Sequence, residues 1–210
     1  MDSLKKIKAV ILDCDGVMFD SLRANINYYN HMLAHFNLPP MDKNEEAYVH
    51  MHTADESIAY IFRKTDILEK ALEYRREVDY SPFIKDMIIE PSLKPLLRAL
   101  RPRFSLAVAT NRSNTIGSVL KSNGLEGFFD IVVSSLDVKR PKPHPEGIFK
   151  ILDFFGIQAA EAIYVGDSLV DYETAKAAGT PFISFRNVNL KSGFHAQHLM
   201  DIATFLHLSY

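Results

Sequence analysis

The chain has 210 residues, 47% hydrophobic and 24% charged, with a net charge of −2. That balance supports a sizeable packed core and excludes disorder as the main state. Without an excess of basic residues the chain offers no broad field for nucleic acid. The length suits one core domain carrying an insertion better than two ordinary domains.

In chain order, the first run, AVIL at residues 9–12, is a short β-branched apolar stretch that stops at Asp13-Cys14-Asp15-Gly16. It is far too short for the core of a signal peptide, and no stretch approaches the ~20 apolar residues of a membrane helix. Cys14 is the single cysteine, so no intramolecular disulfide forms, and a soluble cytoplasmic protein is expected.

From about Ser21 to Glu90 no strand-like run occurs. Leu22, Ile26, Tyr29, Leu33 and Phe36 recur at helical spacing and stop before Pro39-Pro40. Thr53-Ala54-Asp55-Glu56 has the form of a capping box, and a third helix is predicted from Ile67 to Tyr80. Within residues 20–90 acids outnumber bases thirteen to eight, which again speaks against nucleic acid. Four further strand-like runs follow, at 105–109 (SLAVA), 130–134 (DIVVS), 162–165 (AIYV) and 181–185 (PFISF). Helices lie between them. One buries Ile148, Ile151, Leu152 and Phe155 and stops at Gly156; another runs from Val170 to Ala178 and stops at Gly179. Continuous apolar strands alternating with helices predict an α/β fold with a Rossmann-like parallel sheet. Residues 1–20 and 91–210 are expected to form this core. Residues 21–90 form an inserted all-helical cap.

Three predicted strands end in polar residues: Asp13 and Asp15, Thr110-Asn111, and Gly166-Asp167-Ser168. In open α/β sheets ligands bind beyond the carboxyl ends of the strands, so these groups should meet in one crevice. Asp13, Asp15 and Asp167 are hard oxygen ligands that suit Mg²⁺, and three crowded carboxylates call for a divalent cation. Lys142, in a loop stiffened by Pro141 and Pro143, could neutralise a phosphoryl oxygen and the Thr110 hydroxyl could bind another. One carboxylate facing phosphorus is a candidate nucleophile, and the second, two residues along, a proton donor and acceptor.

Four segments together, AVILDCDGVMFDS at 9–21, LAVATNRS at 106–113, DVKRPKPHPEGIF at 137–149 and YVGDSLVDYETAKAAG at 164–179, resemble the haloacid dehalogenase-like hydrolase superfamily. Within it the chain is similar to the phosphoglycolate-phosphatase-like branch with a helical cap. The resemblance implies a phosphatase for a small phosphorylated metabolite. It implies Asp13 as nucleophile and Mg²⁺ ligand, Asp15 as general acid/base touching the metal through its main-chain carbonyl, and Asp167 as a direct ligand. Thr110 and Lys142 would hold the phosphoryl group. Asp171 would hold a metal-bound water or orient Lys142, with Ser168 beside it in the metal's outer shell. Asn111, Arg112 and His52 are candidate substrate contacts, His52 because the loop between the first two cap helices faces the active site in this branch.

Each signal has a plainer reading. Thr110 could cap a helix, Lys142 could be a solvated surface lysine, Asp171 could complement a helix dipole, and Arg112 could be structural. Cys14 reads as an inert buried thiol. His31, His35, His50 and His52 read as surface or packing residues rather than a cap-borne metal site. A phosphomutase of the β-phosphoglucomutase type is a second function, and a catalytically quiet metabolite binder a third. Aspartate at position 15 argues against the phosphonate-cleaving and dehalogenating branches. A monomer and a homodimer fit equally.

Overall fold

The computed structural model describes residues 6–101 and 103–208. Strand β1 (Ala9–Leu12) is buried along its whole length. It lies mid-sheet, paired in parallel with β4 (Ser105–Ala109) on one side and β6 (Ala162–Gly166) on the other. Adding β5 (Ile131–Val133), β7 (Phe182–Phe185) and β8 (Phe194–Ala196) gives a six-stranded parallel sheet in the order β5-β4-β1-β6-β7-β8. The order reverses at β1, which is where such sheets open a crevice.

Strand alternation divides the core. Val10 and Leu12 face one side with Leu106, Val108, Ile163 and Val165. Ala9 and Ile11 face the other with Ala107, Ala109 and Tyr164. The first face is covered by α6 (Leu93–Leu100), α7 (Ile116–Ser122) and α10 (Met200–Phe205). The second is covered by α8 (Glu146–Phe155) and α9 (Leu169–Ala178). Gly156 and Gly179 close these last two helices in the left-handed region, at φ 64° and 71°, where a side chain would be strained.

Between β1 and β4 the chain builds α1 (Leu22–His35), α2 (Lys43–Met51), α3 (Ala54–Ile61), α4 (Leu68–Glu77) and α5 (Ser81–Ile84). Thr53 and Glu56 form the capping box of α3. Two predictions need correction. The third helix ends at Glu77 rather than Tyr80, and Tyr80 is buried against neighbouring aromatic rings. The helical segment is also not free of strand: β2 (Phe19–Asp20) and β3 (Ile88–Ile89) pair antiparallel where the chain enters and leaves it. Two residues a side leave no periodicity to read. Among the described residues no helix is long and apolar enough to cross a membrane.

Candidate active site

Main-chain hydrogen bonding carries each strand into the crevice. The Asp13 amide donates to the Val165 carbonyl at 3.0 Å, and the Thr110 amide to Val133 at 3.0 Å. Asp13, Thr110 and Asp167 therefore leave adjoining strand ends. They line one cavity of about 600 Å³ with Asp15, Lys142 and Arg112.

Lys142 enters from the loop after β5. Its main chain is clamped by Asn111, whose Oδ1 accepts from the Lys142 amide (3.0 Å) and whose Nδ2 donates to the Lys142 carbonyl (3.1 Å). Asn111 thus spends both polar ends on holding that loop. Lys142 Nζ lies 2.8 Å from Asp13 Oδ1 and 2.6 Å from Asp171 Oδ1, and donates to the Tyr164 hydroxyl at 2.9 Å. It is buried, not a solvated surface lysine. Burial alone would push its ammonium down; the Asp13 and Asp171 carboxylates reverse this and hold it well above the lysine range.

Asp171 has no free oxygen for a ligand. Oδ1 takes Lys142 and Tyr164 (2.7 Å), and Oδ2 takes the Ser168 amide (3.1 Å) and hydroxyl (2.5 Å). Ser168 in turn caps α9. Tyr164, in the middle of a buried strand, went unread in the sequence; a tyrosine in an apolar run needs a partner for its hydroxyl, and that was the available signal. Asn187 also went unread: its amide donates to the Asp167 carbonyl at 2.8 Å.

Two glycines are required by contact. A Cβ on Gly16, at φ +81°, would lie 2.1 Å from Asp167 Oδ2, and one on Gly166 would lie 2.3 Å from Asp171 Cβ. Of the expected metal ligands, Asp13 and Asp167 come together. The carboxylates that gather within 4.8 Å are those of Asp13, Asp167 and Asp171. The Asp15 carboxylate instead pairs with Arg112, leaving only the Asp15 main-chain carbonyl for a cation. Burial raises the Asp13 carboxyl well above its ordinary value, Lys142 opposes this, and the acids Asp171, Asp15 and Asp167 add to it. Burial and then the Asp171 charge push Asp167 up to about 7. Hard oxygen donors whose ionised forms disfavour one another fit a divalent cation, which reverses that repulsion.

Arg112 is mostly buried and forms a bidentate pair with Asp15, Nη2 to Oδ1 at 2.5 Å and Nε to Oδ2 at 3.1 Å. Burial raises the Asp15 carboxyl, but Arg112, aided by Ser21 and His50, outweighs this and holds it below its ordinary value. Arg112 thus lines the cavity with its guanidinium turned toward Asp15. Thr110 does not cap α7, which starts at Ile116; its Oγ1 accepts from the Arg112 amide at 3.0 Å.

The helical segment contributes His50 and His52 to the cavity wall. His52 Nδ1 donates to the Tyr48 carbonyl (2.8 Å) and its ring stacks on Tyr48 at 3.7 Å, so Nε2 is the nitrogen left for a ligand. His50 Nδ1 is buried with no hydrogen-bond partner among the described residues. His31 and His35 lie against Tyr74 instead. Cys14 is buried and its thiol is pushed up by that burial.

A profile of the haloacid dehalogenase-like hydrolases matches residues 10–185. The chain belongs to this family. A phosphoglycolate phosphatase of Chromobacterium violaceum is 31% identical over 197 residues, covering 87% of this chain and 86% of the relative. The pyrophosphatase PpaX of Bacillus velezensis is 30% identical over 194 residues, covering 84% and 82%. A haloacid dehalogenase-superfamily hydrolase of subfamily IA, variant 1, from Geobacter sulfurreducens superposes with a TM-score of 0.79 at 36% identity, over 96% of this chain and 97% of that one. The haloacid dehalogenase-like chain described here is thus phosphoglycolate-phosphatase-like in sequence and in fold.

Proposed function

We propose that this haloacid dehalogenase-like hydrolase is a Mg²⁺-dependent phosphatase acting on a small phosphorylated metabolite through an aspartyl-phosphate. The observation that carries the reading is the Lys142 ammonium, held 2.8 Å from Asp13 by Asp171 at the carboxyl end of β1. Asp13 attacks phosphorus, the ester P–O bond breaks, and the leaving oxygen takes a proton from Asp15. Water then attacks the same phosphorus, Asp15 takes the water's proton, and the bond to Asp13 breaks to release phosphate. Lys142 and the Thr110 hydroxyl hold the non-bridging oxygens. Asp13, Asp167 and the Asp15 carbonyl would hold Mg²⁺, which supplies neutralisation of phosphoryl charge when bound.

Residues 1–20 and 91–210 serve as the catalytic core in this reading. Residues 21–90 act as the cap that sets specificity, with His52 offered to the substrate. The names of the relatives support phosphoglycolate-like substrates first, and sugar phosphates fit the same chemistry. A buried free thiol fits a reducing cytoplasm.

Phosphate release from a panel of phosphometabolites tests the proposal, with Mg²⁺, with EDTA, and with Asp13→Asn. Turnover should need both the cation and Asp13, and Asp13→Asn should lose at least about 10³-fold. Substantial residual turnover by Asp13→Asn would refute the nucleophile assignment. Transfer between sugar phosphates without release to water would mark a phosphomutase.

A further inference from the structure

We infer that Arg112 is a positioning residue that holds Asp15 for the water-activating half of the reaction and does not bind substrate. The inference rests on the phosphatase reading above. Three nitrogens of the guanidinium are engaged. Nη2 and Nε take the two oxygens of Asp15, and Nη1 donates to the Thr115 hydroxyl at 3.2 Å. Its carbon lies 4.9 Å from the centre of the Tyr80 ring, and the Tyr80 hydroxyl is fixed in turn by donating to Asn25 Oδ1 at 2.8 Å. The ion pair is mostly buried, with 5% of the arginine side chain and 15% of the aspartate side chain exposed.

A planar fork on both carboxylate oxygens removes rotation about the last bond of Asp15. A base must present one lone pair to one water at the moment that water attacks phosphorus, and a freely turning carboxylate spends most of its time misaligned. A substrate anion binding Arg112 would have to break two charge-assisted hydrogen bonds and leave Asp15 buried without its partner, at a cost no open cleft residue imposes. Lysine cannot replace this geometry, because an ammonium is a single point donor.

Single turnovers with p-nitrophenyl phosphate separate the two halves. Nitrophenolate is a good leaving group and needs no proton, so its release reports attack by Asp13. Phosphate release reports attack by water. In Arg112→Lys, nitrophenolate release should stay near the wild-type rate while phosphate release slows on the order of 10²-fold. KM for 2-phosphoglycolate and for glycerol 3-phosphate should change little, and added guanidinium should restore phosphate release to Arg112→Ala. If KM rises for 2-phosphoglycolate alone with kcat kept, Arg112 binds the substrate carboxylate and the inference is overturned. Equal slowing of both halves in Arg112→Lys, or no slowing, overturns it as well. A wild-type protein without Asp13-dependent nitrophenolate release overturns the phosphatase reading itself, and the Arg112 role with it.

Discussion

Asp167 leaves β6 with its carboxyl pushed from an ordinary 3.8 up to about 7, by burial first and by the Asp171 charge second. Because the folded-state value lies above the unfolded one, Asp167 favours folding fully below about pH 4, and that contribution is lost as pH rises through about 7. Asp15 and Asp171 are shifted down, so their contributions run the other way and the whole-protein slope mixes both signs. Comparison with Asp167→Asn isolates the one group. In EDTA the thermal midpoint of the variant should gain on that of the wild type from about pH 5 to pH 8, and Mg²⁺ should shrink the gap by pairing with the wild-type carboxylate. A gap that ignores both pH and Mg²⁺ would show that Asp167 is neither crowded nor a cation ligand.

The most legible elements were the strands covered on both faces. Strands β1, β4 and β6 stand at the centre of the sheet and are covered on both faces, so each shows as an unbroken apolar run. At the edge, β8 alternates from half-buried to exposed to buried and shows no run at all. The helical stripe of α4 continues on paper to Tyr80, yet the helix stops at Glu77 because Tyr80 packs on Tyr28 and Arg112. The carboxylates, Thr110 and Lys142 were legible because strand ends converge whatever the tertiary detail. The partner of Arg112 was not, since Asp15 is 97 positions away and only packing joins them. The capping box of α3 was read directly from its spacing, and it has a measurable consequence. The Thr53 hydroxyl accepts from the Glu56 amide at 3.3 Å and donates to the Glu56 carboxylate at 2.7 Å. Thr53→Ala should cost about 1 kcal/mol of stability, read as a lower urea midpoint at unchanged slope. A midpoint equal to wild type would mean that packing, and not the cap, starts the helix.

Across the whole molecule, the helical segment and the sheet share one apolar cluster. Tyr29, Met32, Ile58 and Phe62 belong to the same continuous core as Val10, Leu12 and Leu93. Polar ties also cross the boundary. Arg75 donates to the Ser113 hydroxyl at 3.2 Å, and Arg186 meets the buried Glu90 at 2.7 Å. A cluster without a seam gives neither part a complete core of its own, so the two should unfold together. The sequence supplies a convenient probe, because it has no tryptophan and six of its nine tyrosines lie between residues 21 and 90. Intrinsic fluorescence therefore reports mainly the helical segment, while far-ultraviolet circular dichroism reports helices throughout the chain. The two urea transitions should coincide in midpoint and slope, with and without Mg²⁺. If fluorescence instead changes at lower urea, the helical segment melts on its own. The shared cluster would then be a contact surface between two separately stable parts and not a common core.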